Sequence, residues 1–204
     1  MREYLEEEKN KSNNIKWVWV VITNTQKQIL TTIESNSRNK IWKKKWQKGI
    51  IFGEKKNSET TRENAIRETQ EETWISNFFN LDYCWTVNLE VKTQSEKIKI
   101  SIEIFNMLTN FRLEELHCID DEIVRFEVLR LQEIIKKREE NPRIIRPLTI
   151  ESLYTYYFWW TINLSLYKSN SWIYDDNYMK EIQEIINQLK KIKFTPYEKT
   201  NATC

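Results

Sequence analysis

Residues Gly53 to Ile75 read GEKKNSETTRENAIRETQEETWI, and the folding of this stretch decides how the rest of the chain is arranged. Thr60 followed by Glu63 has the pattern of a capping box, which predicts a helix from about Thr61 to Thr73. On that helix Glu68, Glu71 and Glu72 fall at i, i+3 and i+4, so three carboxylates share one face. Ala65, Ile66 and Thr69 form the adjoining stripe, expected to pack inward. Like charges at this spacing cost roughly 0.2–0.5 kcal/mol per pair unless a cation sits among them. Arg67 can serve Glu71, but Glu68 and Glu72 have no basic residue four positions upstream. A hard divalent cation taking oxygen ligands resolves the crowding. The plain alternative is a solvated acidic face with a Glu63, Arg67, Glu71 ion-pair ladder.

Gly53, Glu59, Arg67, Glu68, Glu71, Glu72 and Ile75 keep the spacing of a known signature, and the stretch resembles the box of the Nudix hydrolases. At ordinary residue usage, seven such matches arise by chance with odds on the order of one in a million for a chain this long. Two positions depart: Thr69 stands where the family has an apolar residue and Trp74 where it has glycine. Ile51 and Phe52 precede Gly53 where the family usually has proline and glycine. The resemblance implies an α/β/α sandwich with a mixed sheet and hydrolysis of a small-molecule nucleoside diphosphate derivative with Mg²⁺ or Mn²⁺. It also implies that Glu68, Glu71 and Glu72 are the metal ligands, that Glu59 and Arg67 form a structural ion pair, and that Gly53 makes the box turn. Family members often use a further glutamate beyond the box as ligand or general base; Glu122 is the first candidate, with Asp121 and Glu115 behind it. Many members form homodimers. If Trp74 is genuine it distorts the end of the helix, which favours the alternative of a catalytically inactive Nudix-fold nucleotide-binding or regulatory module.

Composition bounds the remaining classes. With 204 residues, 40% hydrophobic and 13% aromatic, the chain suits one core with an appendage. A net charge of +2 gives no global basic field for nucleic acid. No apolar run approaches the roughly 20 residues of a membrane span. The charged start, MREYLEEEKNKSNNIK, lacks a secretory signal core, and Cys84, Cys118 and Cys204 suit a reducing cytosol, so a cytoplasmic protein is expected. One histidine, His117, excludes His-based triads and zinc sites of the usual spacing; a loop role is expected for it. Two glycines cannot build a phosphate-binding glycine loop.

Two glycines against nine tryptophans is anomalous in a chain rich in Lys, Ile and Asn. Some bacterial lineages read UGA as glycine, and a translation reading UGA as tryptophan would produce this pattern. If all nine tryptophans were glycine, the total of eleven in 204 would approach the usual share of about 7%. The alternative is that these are true tryptophans, some filling the core; Trp17, Trp19, Trp42 and Trp46 also suit strands.

Along the chain, residues 1–15 read as a polar arm. Trp17 to Thr23 and Lys27 to Ile33 read as a strand hairpin, and Ile50 to Phe52 as a short apolar run into the box. Lys40, Lys43, Lys44, Lys45, Lys48, Lys55 and Lys56 crowd the approach to the box, either drawing in phosphates or as solvated surface residues. Leu81 to Val91 and Lys97 to Leu108 alternate as a second hairpin, which argues against an all-helical interaction protein. Thr109 to Asp121 reads as loop, Glu122 to Leu129 as strand and Leu131 to Glu140 as helix, completing a Nudix-like domain over residues 16–146. Residues 147–204 read as a helical, aromatic extension, with Ile182, Ile185, Ile186 and Leu189 at helical spacing.

Overall fold

The computed structural model describes residues 14–37, 43–56, 58–78, 80–92, 97–110, 112–119, 121–167 and 176–192. Most of the polar arm, Lys40, Trp42, the hairpin turn at 93–96 and Cys204 lie outside these residues.

Strand β1 (Asn14–Asn24) is the axis of the fold. Its successive side chains alternate between two cores: Trp17, Trp19 and Val21 enter one, Val18, Val20 and Ile22 the other. A strand apolar on both faces must be covered on both, and that requirement makes the layers. Helix α1 (Thr61–Thr73) lies on one face, contributing Ala65 to the core there. On the other face lie α2 (Leu131–Glu140), α3 (Thr149–Phe158) and α4 (Asp176–Leu189), through Leu131, Ile134, Ile150, Leu153, Ile182 and Ile186 among others. The fold is therefore an α/β/α sandwich on a mixed sheet.

The clearest sequence signal, the alternation in β5 (Leu81–Lys92) and β6 (Lys97–Thr109), gives the antiparallel hairpin expected. Ile98, Ile100, Ile102 and Ile104 face the three-helix side, while Phe105 and Met107 face α1. Strand β6 then runs parallel to β1 along its whole length, from Asn14 opposite Lys99 to Asn24 opposite Thr109. The first hairpin is much slighter than the sequence suggests. Strand β2 (Gln28–Glu34) meets β1 only at Thr23 and Ile29, and pairs at length with β7 (Ile123–Arg130). The two-residue strand β3 (Lys48–Gly49) adds to β2. Strand β4 (Ile51–Glu54) occupies the edge of β1 that β2 leaves open, bringing Gly53 opposite Val18 and under helix α1.

Beyond residue 147 the chain is not only helical. Strand β8 (Ile162–Tyr167) pairs parallel with β5, in a segment whose sequence reads as part of a helical extension. Its length of six and its position between two helical patterns hid it, and only pairing with β5 makes it a strand. Among the described residues no helix is long and apolar enough to cross a membrane.

Candidate active site

Helix α1 starts where the capping box predicts. Glu63 N donates to Thr60 Oγ1 at 3.2 Å and Thr60 N donates to Glu63 Oε2 at 2.7 Å, so two otherwise orphaned N–H groups are satisfied. Thr61 Oγ1 donates to Glu103 Oε2 of β6 at 2.6 Å, pinning the first turn to the sheet. Ala65 and Thr69 are fully buried, as the inward stripe requires.

Arg67 organises the other side of the helix. Its Nε lies 2.7 Å from Glu59 Oε1 and its Nη2 donates to Glu59 Oε2 at 3.2 Å and to Asn64 Oδ1 at 2.9 Å. The bidentate pair holds the Glu59 carboxyl below the usual carboxylate range and the guanidinium above its own, and it ties the loop before the helix to the helix body. Nη1 of the same guanidinium lies 2.6 Å from Glu68 Oε1 and 2.8 Å from Glu71 Oε2. One arginine thus supplies the positive charge that the i, i+3 crowding demands.

The three box carboxylates differ in environment. Glu71 is half exposed, Glu72 is buried, and the Glu68 side chain keeps only 15% of its surface. Burial pushes Glu68 up to about 7, although Arg67 beside it pulls the other way. The Glu68 carboxyl lies against the backbone of β4, and any Cβ at Gly53 would overlap it. Glycine is needed there for this close approach. Among the described residues no three acidic, histidine or cysteine side chains converge as a ready-made metal cluster; in this arrangement Glu68 and Glu71 turn toward Arg67.

Glu122 lies just ahead of β7, and its Oε2 is 2.9 Å from Lys43 Nζ. Lys43 also contacts Glu34 Oε2 at 2.7 Å, and Glu34 Oε1 lies 3.3 Å from Arg146 Nη1. Arg146 is buried over the Phe52 ring, 4.1 Å from its centroid, and feels the charges of Glu34, Glu72 and Glu122 together. Lys43 and Lys48 are thus no surface lysines: Lys48 is buried too, 2.5 Å from Glu127. Asp121 and Glu115 are exposed. Sequence reading missed Glu34 and Arg146 entirely, since 112 residues separate them and no local spacing links them. Exposed His117 lines a cleft of about 540 Å³ at the end of α1 with Trp74, Ile75, Leu116 and Ile119.

A family model, the NUDIX domain, matches residues 15–149. The chain belongs to the Nudix family. Solved Nudix structures share its fold at low identity. The NUDIX domain of Shewanella oneidensis NrtR complexed with ADP ribose has a TM-score of 0.55 at 12% identity, covering 76% of this chain and 94% of its own. A NUDIX hydrolase from Nitrosomonas europaea has a TM-score of 0.52 at 13% identity, with 76% and 80% covered. A MutT protein from Bacillus halodurans has 0.52 at 12%, with 76% and 91% covered. No curated protein matches the chain in sequence. The Nudix box is here helix α1, its C-cap Trp74, which sits in the left-handed region at φ 64, and Gly53, which lies within strand β4 opposite Val18 and not in the turn expected from the sequence, because β4 pairs along β1.

Proposed function

We propose that this Nudix protein hydrolyses a phosphoanhydride bond of a nucleoside diphosphate derivative, NDP-X plus water giving NMP plus P-X, with Mg²⁺ or Mn²⁺. The observation that carries this reading is the face of α1. Glu68, Glu71 and Glu72 stand at i, i+3 and i+4 of a capped helix, Arg67 is locked to Glu59, and Gly53 clears the space for the Glu68 carboxyl. The donor set fits a hard cation, being oxygen only and partly open to solvent, as Mg²⁺ with its retained waters requires.

Glu68, Glu71 and Glu72 would hold the ion. When bound, it supplies neutralisation of the phosphate charges and a more acidic water. The protein's own part is positional. Arg67 balances the charges of Glu68 and Glu71, and Glu59 holds the guanidinium in place on the helix. Glu122 is the group to accept the proton of the attacking water, its carboxylate charge balanced by Lys43. The NrtR domain's complex with ADP ribose favours nucleoside diphosphates linked to a sugar as the first substrates to test.

The test is turnover of nucleoside triphosphates, ADP-ribose, NADH and sugar nucleotides with Mg²⁺ and with EDTA, monophosphate products being detected through a coupled phosphatase. Metal-dependent turnover is expected, reduced at least about 100-fold in Glu71→Gln and Glu72→Gln, since these groups act on charge developed in the transition state. Silence from the folded protein on every substrate would overturn the hydrolase and favour the nucleotide-binding module.

A further inference from the structure

Four charged side chains from distant parts of the sequence form one buried chain: Glu122, Lys43, Glu34 and Arg146. Lys43, Glu34 and Arg146 keep at most 5% of their side-chain surface, whereas Glu122 keeps 28% and is the one end open to solvent. Taking such charges out of water costs several kcal/mol per ion, and apolar residues of similar volume are often as stable. The backbone reinforces the arrangement. Ser35 N donates to Glu122 O at 2.9 Å, and Glu34 N donates to Gln47 O at 2.9 Å. At the far end Arg146 stacks on Phe52, the residue before the box glycine, within range of the charge on Glu72.

We propose that Lys43, held in place by Glu34, is a positioning residue that fixes the carboxylate of Glu122, the group assigned above to accept the proton of the attacking water. This rests on the hydrolase reading above. The experiment measures kcat, KM and melting temperature for Lys43→Met, Lys43→Arg and Glu34→Gln, each alone and combined with Glu122→Gln. Lys43→Met is expected to lower kcat about 10-fold or more with KM little changed, Lys43→Arg to restore part of it, and the Lys43 substitution to add nothing in the Glu122→Gln background. Equal loss in both backgrounds, or an unchanged kcat, overturns the positioning role. Should Lys43→Met fail to fold, Glu34→Gln decides by the same comparison. An inactive wild-type protein would instead count against the hydrolase itself.

A separate observation concerns the tryptophans. Among the described residues five that are not glycine have positive φ: Lys27, Trp46, Trp74, Leu148 and Trp159, at 58°, 70°, 64°, 72° and 52°. Three of the five are tryptophan, and all three are exposed, at 57%, 74% and 56%. Their rings stand largely in solvent, with the Lys45 ammonium 5.2 Å from the centroid of Trp46, in a conformation that bulky side chains resist. Trp74 and Trp159 each follow a helix and donate their N–H to Gln70 O and Thr155 O, which is the left-handed cap where glycine dominates. Trp46 is the third residue of the turn closed by Gln47 N donating to Lys44 O, again a place for glycine. Gly49 and Gly53, by contrast, lie in strands without positive φ.

We infer that positions 46, 74 and 159 carry glycine in the native cell, each encoded by UGA. The gene sequence and the masses of peptides from the native protein test this. UGA at all three codons and peptides lighter by the tryptophan-to-glycine difference are expected; UGG, or a tryptophan mass, at any of the three overturns the inference. In recombinant protein the corresponding glycine substitutions should each raise the melting temperature by about 2–4 °C, and a fall would speak equally against it.

Discussion

Glu68 carries the clearest consequence of a single residue's surroundings. Its carboxyl lies in the cleft that Gly53 leaves, where burial raises it to about 7 from the 4.5 of a free glutamate. A carboxyl with a raised folded value favours the folded state while it is protonated in both states, and that contribution is lost as pH rises from about 4.5 through 7. Metal-free protein should therefore melt at a higher temperature at pH 5.5 than at pH 8 on account of this group. Glu68→Gln should flatten that part of the profile; if the slope survives the substitution, the buried carboxyl is not its source. The identity and spacing of Glu68 are plain in the sequence. Its burial is not, because the wall it lies against is β4, folded back from before the helix.

Among the elements, helix α1 is the one most fully written in local sequence. Its bounds, its capping box and its buried stripe follow from residues within a few positions of each other, so little tertiary information was needed. Thr60→Ala should cost about 1 kcal/mol, visible as a drop of about 2–4 °C in melting temperature; no change would mean that the sheet contacts alone hold the helix start. Strand β7 illustrates the opposite case. Its existence could be read from residues 122–129, but its partner could not, and the expected pairing of β2 with β1 is largely replaced by β2 with β7. Edge capacity decided this: β4 and β6 take the two sides of β1 that β2 would otherwise compete for.

For the molecule as a whole, one core cluster joins β1, β5 and β6 to α2, α3 and α4, with Ile182 and Ile186 packed among residues of the sheet. Tyr178 of α4 donates its hydroxyl to the buried Glu151 of α3, which ties the two helices beneath the sheet. Unfolding in denaturant should consequently follow a single transition that includes α4. Ile182→Ala should cost roughly 2–5 kcal/mol through the cavity it leaves, shifting the whole transition. A separate early transition, with the rest of the curve unmoved, would show α4 to be an independent appendage.

The sequence by itself determined the box, the capped helix, the β5–β6 hairpin and the identity of the acidic face. Each depends on periodicity or on spacings of a few residues, which backbone geometry converts directly into structure. Only the tertiary structure decided that β1 runs parallel to β6, that residues 162–167 are a strand, and that Lys43 is a buried partner of Glu122 and not a surface charge. Those outcomes depend on which edges are free and on which charges meet after burial, across separations of up to 112 residues. The tryptophans join the two levels: their number is a fact of composition, but only the backbone angles at residues 46, 74 and 159 single out three of them as standing where glycine belongs.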